Sequence, residues 1–196
     1  MKRSIMIAIV ALAFAAASTA AIAQQRTTFT GTVVIYGSGF NTRTVTAPFT
    51  LYLNGTTSND EAQRLLGALQ NGGQDELRRA LQHNDLGRFS IGGRVGIPVE
   101  AVVVDKAGDG RMRIRAVMER WQGFGELWRG GRSLDYPFSY IEMYVDPRTG
   151  DGDGTFIAAA QIRWQNNKGQ NQVEIEDFGT FPGRLMGVKM RGGRLS

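Results

Sequence analysis

The chain has 196 residues, enough for one ordinary domain, and contains no cysteine. The absence of cysteine excludes disulfides, thiolate catalysis, zinc–thiolate sites and lipoprotein acylation. The formal charge is +5, and it falls to +3 without Lys2 and Arg3, so a nucleic-acid partner is not expected.

The first 23 residues have the three-part pattern of a secretory signal. Lys2 and Arg3 precede an uncharged apolar run at 6–17, and Ala21-Ile22-Ala23 places small residues where a signal peptidase cuts. The alternative is a membrane anchor, but the apolar run is shorter than the roughly 20 residues that span a bilayer. We expect cleavage before Gln24, an exported protein that is periplasmic or secreted, and one domain at 24–196 with no transmembrane segment.

Two amphipathic strands open the mature chain. Apolar and polar residues alternate with a period of two through 29–36 and again through 44–53, which is typical of half-buried antiparallel strands. Pro48 has no backbone N–H to donate, so the second strand is expected at a sheet edge or with a bulge at this position.

A change of period then predicts a helical hairpin at about 58–83. Ser58-Asn59-Asp60-Glu61 has the form of a capping box, and leucines follow at helical spacing. Asn71-Gly72-Gly73 is expected to end the first helix, and Asp75 with Glu76 favours the first turn of a second.

Further short amphipathic segments follow residue 84, separated by turn signals. Asp105 to Gly110 has the composition of a hairpin loop, and the alternation from Phe156 to Trp164 predicts a strand with one inward face. The pattern predicts a mainly β (α+β) protein: an antiparallel β-sandwich or barrel with an inserted α-helical hairpin. A barrel would offer a lumen for a ligand.

Neither a metal site nor a cofactor is expected. The Asp- and Gly-rich segment 146–154 is reminiscent of a calcium loop, but an EF-hand count from Asp151 places Phe156 where glycine is required and Ile162 where the last acid should be. Turn chemistry explains the same residues. His83 is the single histidine, so a histidine cluster is excluded.

A basic and aromatic segment is the candidate binding site. Arginine forks bind carboxylate, sulfate or phosphate, and tryptophan faces stack on sugars or cations, so an anionic envelope component is one possible ligand. The alternative is a solvated strand face whose arginines pair with acids of a neighbouring strand, such as Glu174 and Glu176. The candidate residues are Arg111, Arg113, Arg115, Trp121, Trp128 and Arg132.

A carboxylate site is the catalytic alternative. Glu142 lies on the same predicted strand face as Phe138, Tyr140 and Tyr144, where partial burial would raise its pKa, and Asp135 precedes that strand. A hydrolase needs two such groups at a suitable separation, and no spacing in the sequence identifies the pair.

Two segments carry a family resemblance. Arg132-Ser133-Leu134-Asp135-Tyr136-Pro137-Phe138 with Ile141-Glu142, and Val173 to Phe178, together with the paired strands and helical hairpin, resemble an uncharacterised family of exported bacterial proteins. The resemblance covers most of the mature chain and implies export and one domain. It implies no activity, cofactor or catalytic residue.

The sequence therefore favours an exported, non-catalytic envelope protein that binds a ligand or partner. A carboxylate-dependent hydrolase acting on envelope or polymer material is the alternative.

Overall fold

The structure is a computed structural model that describes residues 26–36, 44–120, 132–167, 170–178 and 181–193. The expected signal at 1–23 lies outside these ranges, as do Trp121 and Trp128. Within them, no helix is both long enough and apolar enough to cross a membrane.

Ten strands and one interrupted helix account for most of the described residues. The helix, α1, spans Asn59–Leu81, and a short 3-10 helix spans Arg132–Asp135. The strands are β1 (Thr27–Ile35), β2 (Val45–Leu53), β3 (Gly87–Ile91), β4 (Ile97–Val99), β5 (Ala101–Lys106), β6 (Met112–Glu119), β7 (Phe138–Val145), β8 (Asp151–Asn167), β9 (Gln170–Asp177) and β10 (Gly183–Gly192). The prediction of a mainly β protein with an inserted helical element is confirmed.

The sheet curls into a nearly closed antiparallel barrel. Its strand order in the described residues is β4-β3-β2-β1-β10-β8-β7-β6-β5, and β9 pairs with the far half of β8. The two ends of this path, β4 and β5, are separated in sequence by Glu100 alone. Because one bent strand supplies both ends, pairing with β3 through its first half and with β6 through its second, the sheet meets itself.

The barrel interior is filled by side chains. Phe29, Leu51, Ile114 and Met143 are fully buried there, and the rings of Phe89 and Phe156 lie 5.2 Å apart. Small barrels are usually packed in this way, because the inward residues of opposite strands meet. The barrel interior is therefore a packed hydrophobic core, and the candidate ligand site lies outside the barrel.

The helix α1 is a hairpin of two halves that meet at Gly73, where φ is +65°. A continuous helix would separate Arg64 from Ala80 by roughly 24 Å. Instead, Arg64 Nη2 donates to the Ala80 carbonyl at 2.8 Å, and Asn84 Nδ2 donates to Glu61 at 2.8 Å. The Ser58 hydroxyl caps the first half by accepting from the Glu61 N–H at 3.2 Å.

A bulge in β8 allows this strand to contribute side chains both to the barrel interior and to the cluster beneath the hairpin. The β7–β8 register shifts between Phe138 and Tyr140, so that Phe156 points into the barrel while Ala160 and Ile162 lie on its outside beneath the hairpin. The prediction of one inward face from Phe156 to Trp164 is wrong for this reason. An extra residue in a strand reverses the side-chain alternation beyond it.

Pro48 lies in an interior strand, beside a local edge. The β2–β3 pairing ends at Phe49, and the Pro48 carbonyl accepts the N–H of Gly92 in the turn that follows β3. At Pro48, β2 is no longer paired with β3. The lack of a proline N–H therefore costs no hydrogen bond between the two strands.

Candidate functional site

An apolar pocket lies between the hairpin and the outer face of the barrel. Its volume is about 190 Å³, and its wall is almost entirely hydrocarbon. The lining comes from the segment before α1, from both halves of α1 and from four strands: Thr57, Ala62, Leu65, Leu66, Leu69, Leu77, Leu81, Ala101, Val103, Val117, Ile162, Val173 and Ile175.

The pocket follows from the residue pattern of its walls. Leu65 and Leu69 are one turn apart on the first half of α1, and Leu77 with Leu81 repeats this spacing on the second, so each half has one apolar stripe. On the sheet, Val117 faces outward because its neighbours Ala116 and Met118 point into the barrel. The two stripes pack on this outer face and leave a gap along their centre.

The rim of the pocket is open to solvent near β5 and β9. Val103 is 40% exposed and Val173 is 44% exposed, although both line the pocket. Val103 lies directly opposite Arg115 in the β5–β6 register. Side chains opposed in this way are about 5 Å apart at Cβ, so the pocket rim borders the arginine face of β6.

The arginines of β6 and the preceding turn pair with aspartates. Arg113 forms a two-bond fork with Asp105, at 2.7 and 2.8 Å. Arg111 contacts Asp109 at 2.7 Å and Asp153 at 3.1 Å, and its guanidinium lies 5.1 Å from the centre of the Tyr144 ring. The fork and the charge of both arginines hold the pKa of Asp105 below its usual value.

Arg115 keeps hydrogen-bonding capacity that these contacts leave unused. Its Nη2 contacts Asp105 at 2.6 Å, while its buried Nε has no hydrogen-bond partner among the described residues. A guanidinium has five N–H donors, so one shared carboxylate satisfies only part of it.

The acids first considered as partners for these arginines lie elsewhere. Glu174 and Glu176 are on β9, where Glu176 contacts Arg163 at 3.2 Å and accepts from the Tyr136 hydroxyl at 2.7 Å. The arginine face has a different partner because β5 continues to Lys106, which brings Asp105 opposite Arg113.

Trp121 and Trp128 lie outside the described residues, so the structure does not test them as members of the site. Arg132 begins the short 3-10 helix, and its side chain is outside the description. Of the six predicted binding residues, the structure brings Arg111, Arg113 and Arg115 together on one face.

Glu142 is held by two tyrosines. Its carboxylate accepts from the Tyr140 hydroxyl at 2.9 Å and from the Tyr144 hydroxyl. Burial and the neighbouring carboxylate raise the pKa of Tyr140. Asp135 ends the 3-10 helix that precedes β7, and no contact between Asp135 and Glu142 is found among the described residues, so the structure does not bring the two carboxyls together as a pair.

Glu100 is a buried acid that the sequence reasoning missed. It is 6% exposed at the junction of β4 and β5, and one carboxylate oxygen accepts the Glu119 N–H at 2.8 Å. Burial raises its pKa to about 7 from an ordinary 4.5, and the nearby Glu119 carboxylate adds to the shift. The signal in the sequence is an acid within the apolar run Ile97 to Val104.

The acids of the segment 146–154 have partners within the chain. Asp146 accepts the Arg148 N–H at 2.7 Å, Asp151 contacts Lys189, and Asp153 contacts Arg111 at 3.1 Å. Gly150 has φ of +75°, so the segment has the backbone of a tight turn. His83 is exposed just past the end of α1.

Comparison with known proteins adds no relative: no family model, no curated protein and no solved structure matches this chain. The resemblance to an uncharacterised exported family therefore stays a prediction. The functional argument has to rest on the geometry of the pocket and its rim.

Proposed function

We propose that the chain is an exported, non-catalytic envelope protein that binds a small amphiphile in the pocket under its helical hairpin. The observation that carries this proposal is an open pocket with an almost purely apolar wall between the hairpin and the outer face of the barrel. Concave apolar sites with a few polar groups at the edge are the usual form of small-molecule sites.

The pocket volume sets the size of the apolar part. A volume of about 190 Å³ holds roughly six methylene groups, taking each as about the size of a water molecule. Burying that many methylenes contributes roughly 5 kcal/mol. We therefore expect a medium-length acyl chain or a compact hydrocarbon, with a dissociation constant of about 0.1 to 1 mM for the simplest ligand.

Arg115 is the group that would receive the polar end of the ligand. It lies opposite the rim residue Val103 in the strand register, its side chain is 36% exposed, and its contact with Asp105 uses only Nη2, so Nη1 is the donor that a ligand would meet. A carboxylate, ester or alcohol would accept from this donor, and a carboxylate most strongly. The neighbouring aspartates reduce the net positive charge, so the apolar part supplies most of the affinity.

Binding is preferred to hydrolysis because the carboxylates are arranged as hydrogen-bond acceptors. Glu142 accepts hydrogen bonds from two tyrosine hydroxyls, and no described contact joins it to Asp135, so the hydrolase alternative lacks support for its expected pair of carboxyls. Export is supported by the signal-peptide pattern at 1–23. A mature mass beginning at Gln24 in the secreted or periplasmic fraction would support it, whereas a full-length mass there would contradict it.

The test of ligand binding uses octanoate and 1-octanol as probes, measured by calorimetry and by NMR titration. The variant Val103→Glu places a charge at the rim and should abolish binding of both probes. Met186→Glu is the control, because Met186 is another exposed apolar strand residue, on β10, outside the pocket lining. Arg115→Gln should weaken octanoate about fivefold and 1-octanol much less, because a hydrogen bond to a charged carboxylate is stronger than one to a neutral hydroxyl. Equal effects of Val103→Glu and Met186→Glu, or no saturable binding, would overturn the proposal.

A further inference from the structure

One end of the barrel carries exposed apolar side chains on three neighbouring connections. Val95 is 94% exposed and Phe181 is 66% exposed, and Tyr36 and Val45 are also largely accessible. Single exposed apolar residues are ordinary on a protein surface, but a group of them at one place marks an interaction site. We call this surface, with Arg94 and Arg184, the aromatic end.

The strand register brings these residues to the same end. Tyr36 follows the last residue of β1, and Val45 pairs with Ile35 at the start of β2. Arg184 pairs with Val34, and it lines one depression together with Tyr36, Phe181 and Pro182.

The turn between β3 and β4 extends the same surface. It carries Arg94 and Val95. The N–H of Gly92 in this turn donates to the carbonyl of Pro48 at 2.8 Å, and Pro48 is only three residues after Val45 along β2.

The charge of the aromatic end has one sign. The described residues of the connecting segments, at 36, 44, 92–96, 178 and 181–182, include no Asp or Glu. Arg94 and Arg184 form no ion pair with any described residue. This contrasts with the β6 face, where aspartates pair with the arginines.

We infer that the aromatic end docks on the surface of an anionic lipid membrane. Aromatic rings favour the boundary between headgroups and acyl chains, and arginines are attracted to anionic headgroups. The aliphatic tips of Val45 and Val95 fit the acyl boundary and offer no flat face for stacking on a sugar. These residues are distinct from the pocket, so the inference stands independently of the proposed function.

The test is co-sedimentation of the protein with vesicles at low ionic strength. One set contains phosphatidylglycerol and phosphatidylcholine in equal parts, and the other contains phosphatidylcholine alone. We expect binding to the anionic set and at least tenfold weaker binding to the neutral set. Each arginine contributes about fivefold near an anionic surface, so Arg94→Gln with Arg184→Gln should weaken binding roughly 25-fold. Phe181→Ala with Val95→Ala should weaken binding to the anionic set severalfold.

The matched control is Tyr52→Ala with Arg88→Gln, an exposed aromatic and arginine pair on β2 and β3 away from the aromatic end. Its binding should equal that of the unaltered protein, and thermal unfolding of every variant should show an intact fold. Absence of binding to anionic vesicles, or an equal loss in the control, would overturn the inference. So would saturable binding of the aromatic end to a neutral polysaccharide without vesicle binding.

Discussion

Glu100 gives the most quantitative prediction. The perturbation is Glu100→Gln, which removes the buried charge and keeps a side-chain oxygen to accept the Glu119 N–H. The charged neighbour that acts on this carboxyl is Glu119, which itself contacts Arg78 of the second half of α1 at 3.3 Å. Because burial dominates the shift, the neutral form of Glu100 fits its environment better than the charged form.

The magnitude follows from linkage. The carboxyl has a pKa of about 7 in the folded protein and about 4.5 in the unfolded chain, so the folded state holds a proton between these values that the unfolded state has lost. Stability from Glu100 is present below pH 4.5 and is lost as the pH rises to about 7. This loss of folding stability is at most about 3 kcal/mol. The buried amide N–H of glutamine would lack a hydrogen-bond acceptor, which costs about 1 kcal/mol. Glu100→Gln should therefore raise the free energy of unfolding by about 2 kcal/mol at pH 8.5.

The assay is urea unfolding of the two proteins at pH 4.5 and pH 8.5. The difference in the free energy of unfolding should be near zero or slightly unfavourable to the variant at pH 4.5, and favourable at pH 8.5. Glu76→Gln, at a half-exposed glutamate of the hairpin that contacts Arg79, should change stability by less than about 0.5 kcal/mol at both pH values. A variant that is less stable than the unaltered protein at pH 8.5 would refute the reasoning.

Three further predictions concern stability. Leu81→Ala removes a side chain that is 1% exposed between hairpin and sheet and should cost about 2 to 5 kcal/mol in urea unfolding; a cost below about 1 kcal/mol would contradict the hairpin packing. Gly154→Ala places a methyl group 2.4 Å from the Glu142 carbonyl oxygen and should lower the melting temperature by several degrees, whereas an unchanged value would contradict the close approach of β7 and β8. Asp105→Asn should destabilise the protein at pH 7, and this difference should shrink as the pH falls through the lowered pKa of Asp105. A difference that does not decrease with falling pH would exclude the Arg113 ion pair as its cause.

Local patterns were sufficient to predict the elements of the fold. The period-two runs identified the early strands, and Gly73 has the positive φ that ends the first half of the hairpin. These features depend on residues close together in sequence, so a short stretch of sequence is enough to predict them. The choice of a barrel depends on whether β4 and β5 bend at Glu100 and pair on both sides, which is a relation between residues far apart in sequence.

The candidate site was harder to predict, because it depends on register. Asp105 was assigned to a loop, whereas β5 continues through it and sets it opposite Arg113. The bulge that turns Ala160 and Ile162 toward the pocket occurs in Ile157-Ala158-Ala159, which contains no glycine or proline to signal it. The pocket itself exists only once the hairpin has packed on these strands.

The most direct test of the account is to locate octanoate by NMR on protein with labelled methyl groups. The account predicts that added octanoate shifts the signals of Leu65, Leu69 and Val117 in the pocket, and leaves those of Val33 and Leu51 in the barrel interior unchanged. Shifts confined to the barrel interior, or no saturable shift at the pocket methyls, would contradict the claim that this chain binds an amphiphile beneath its hairpin.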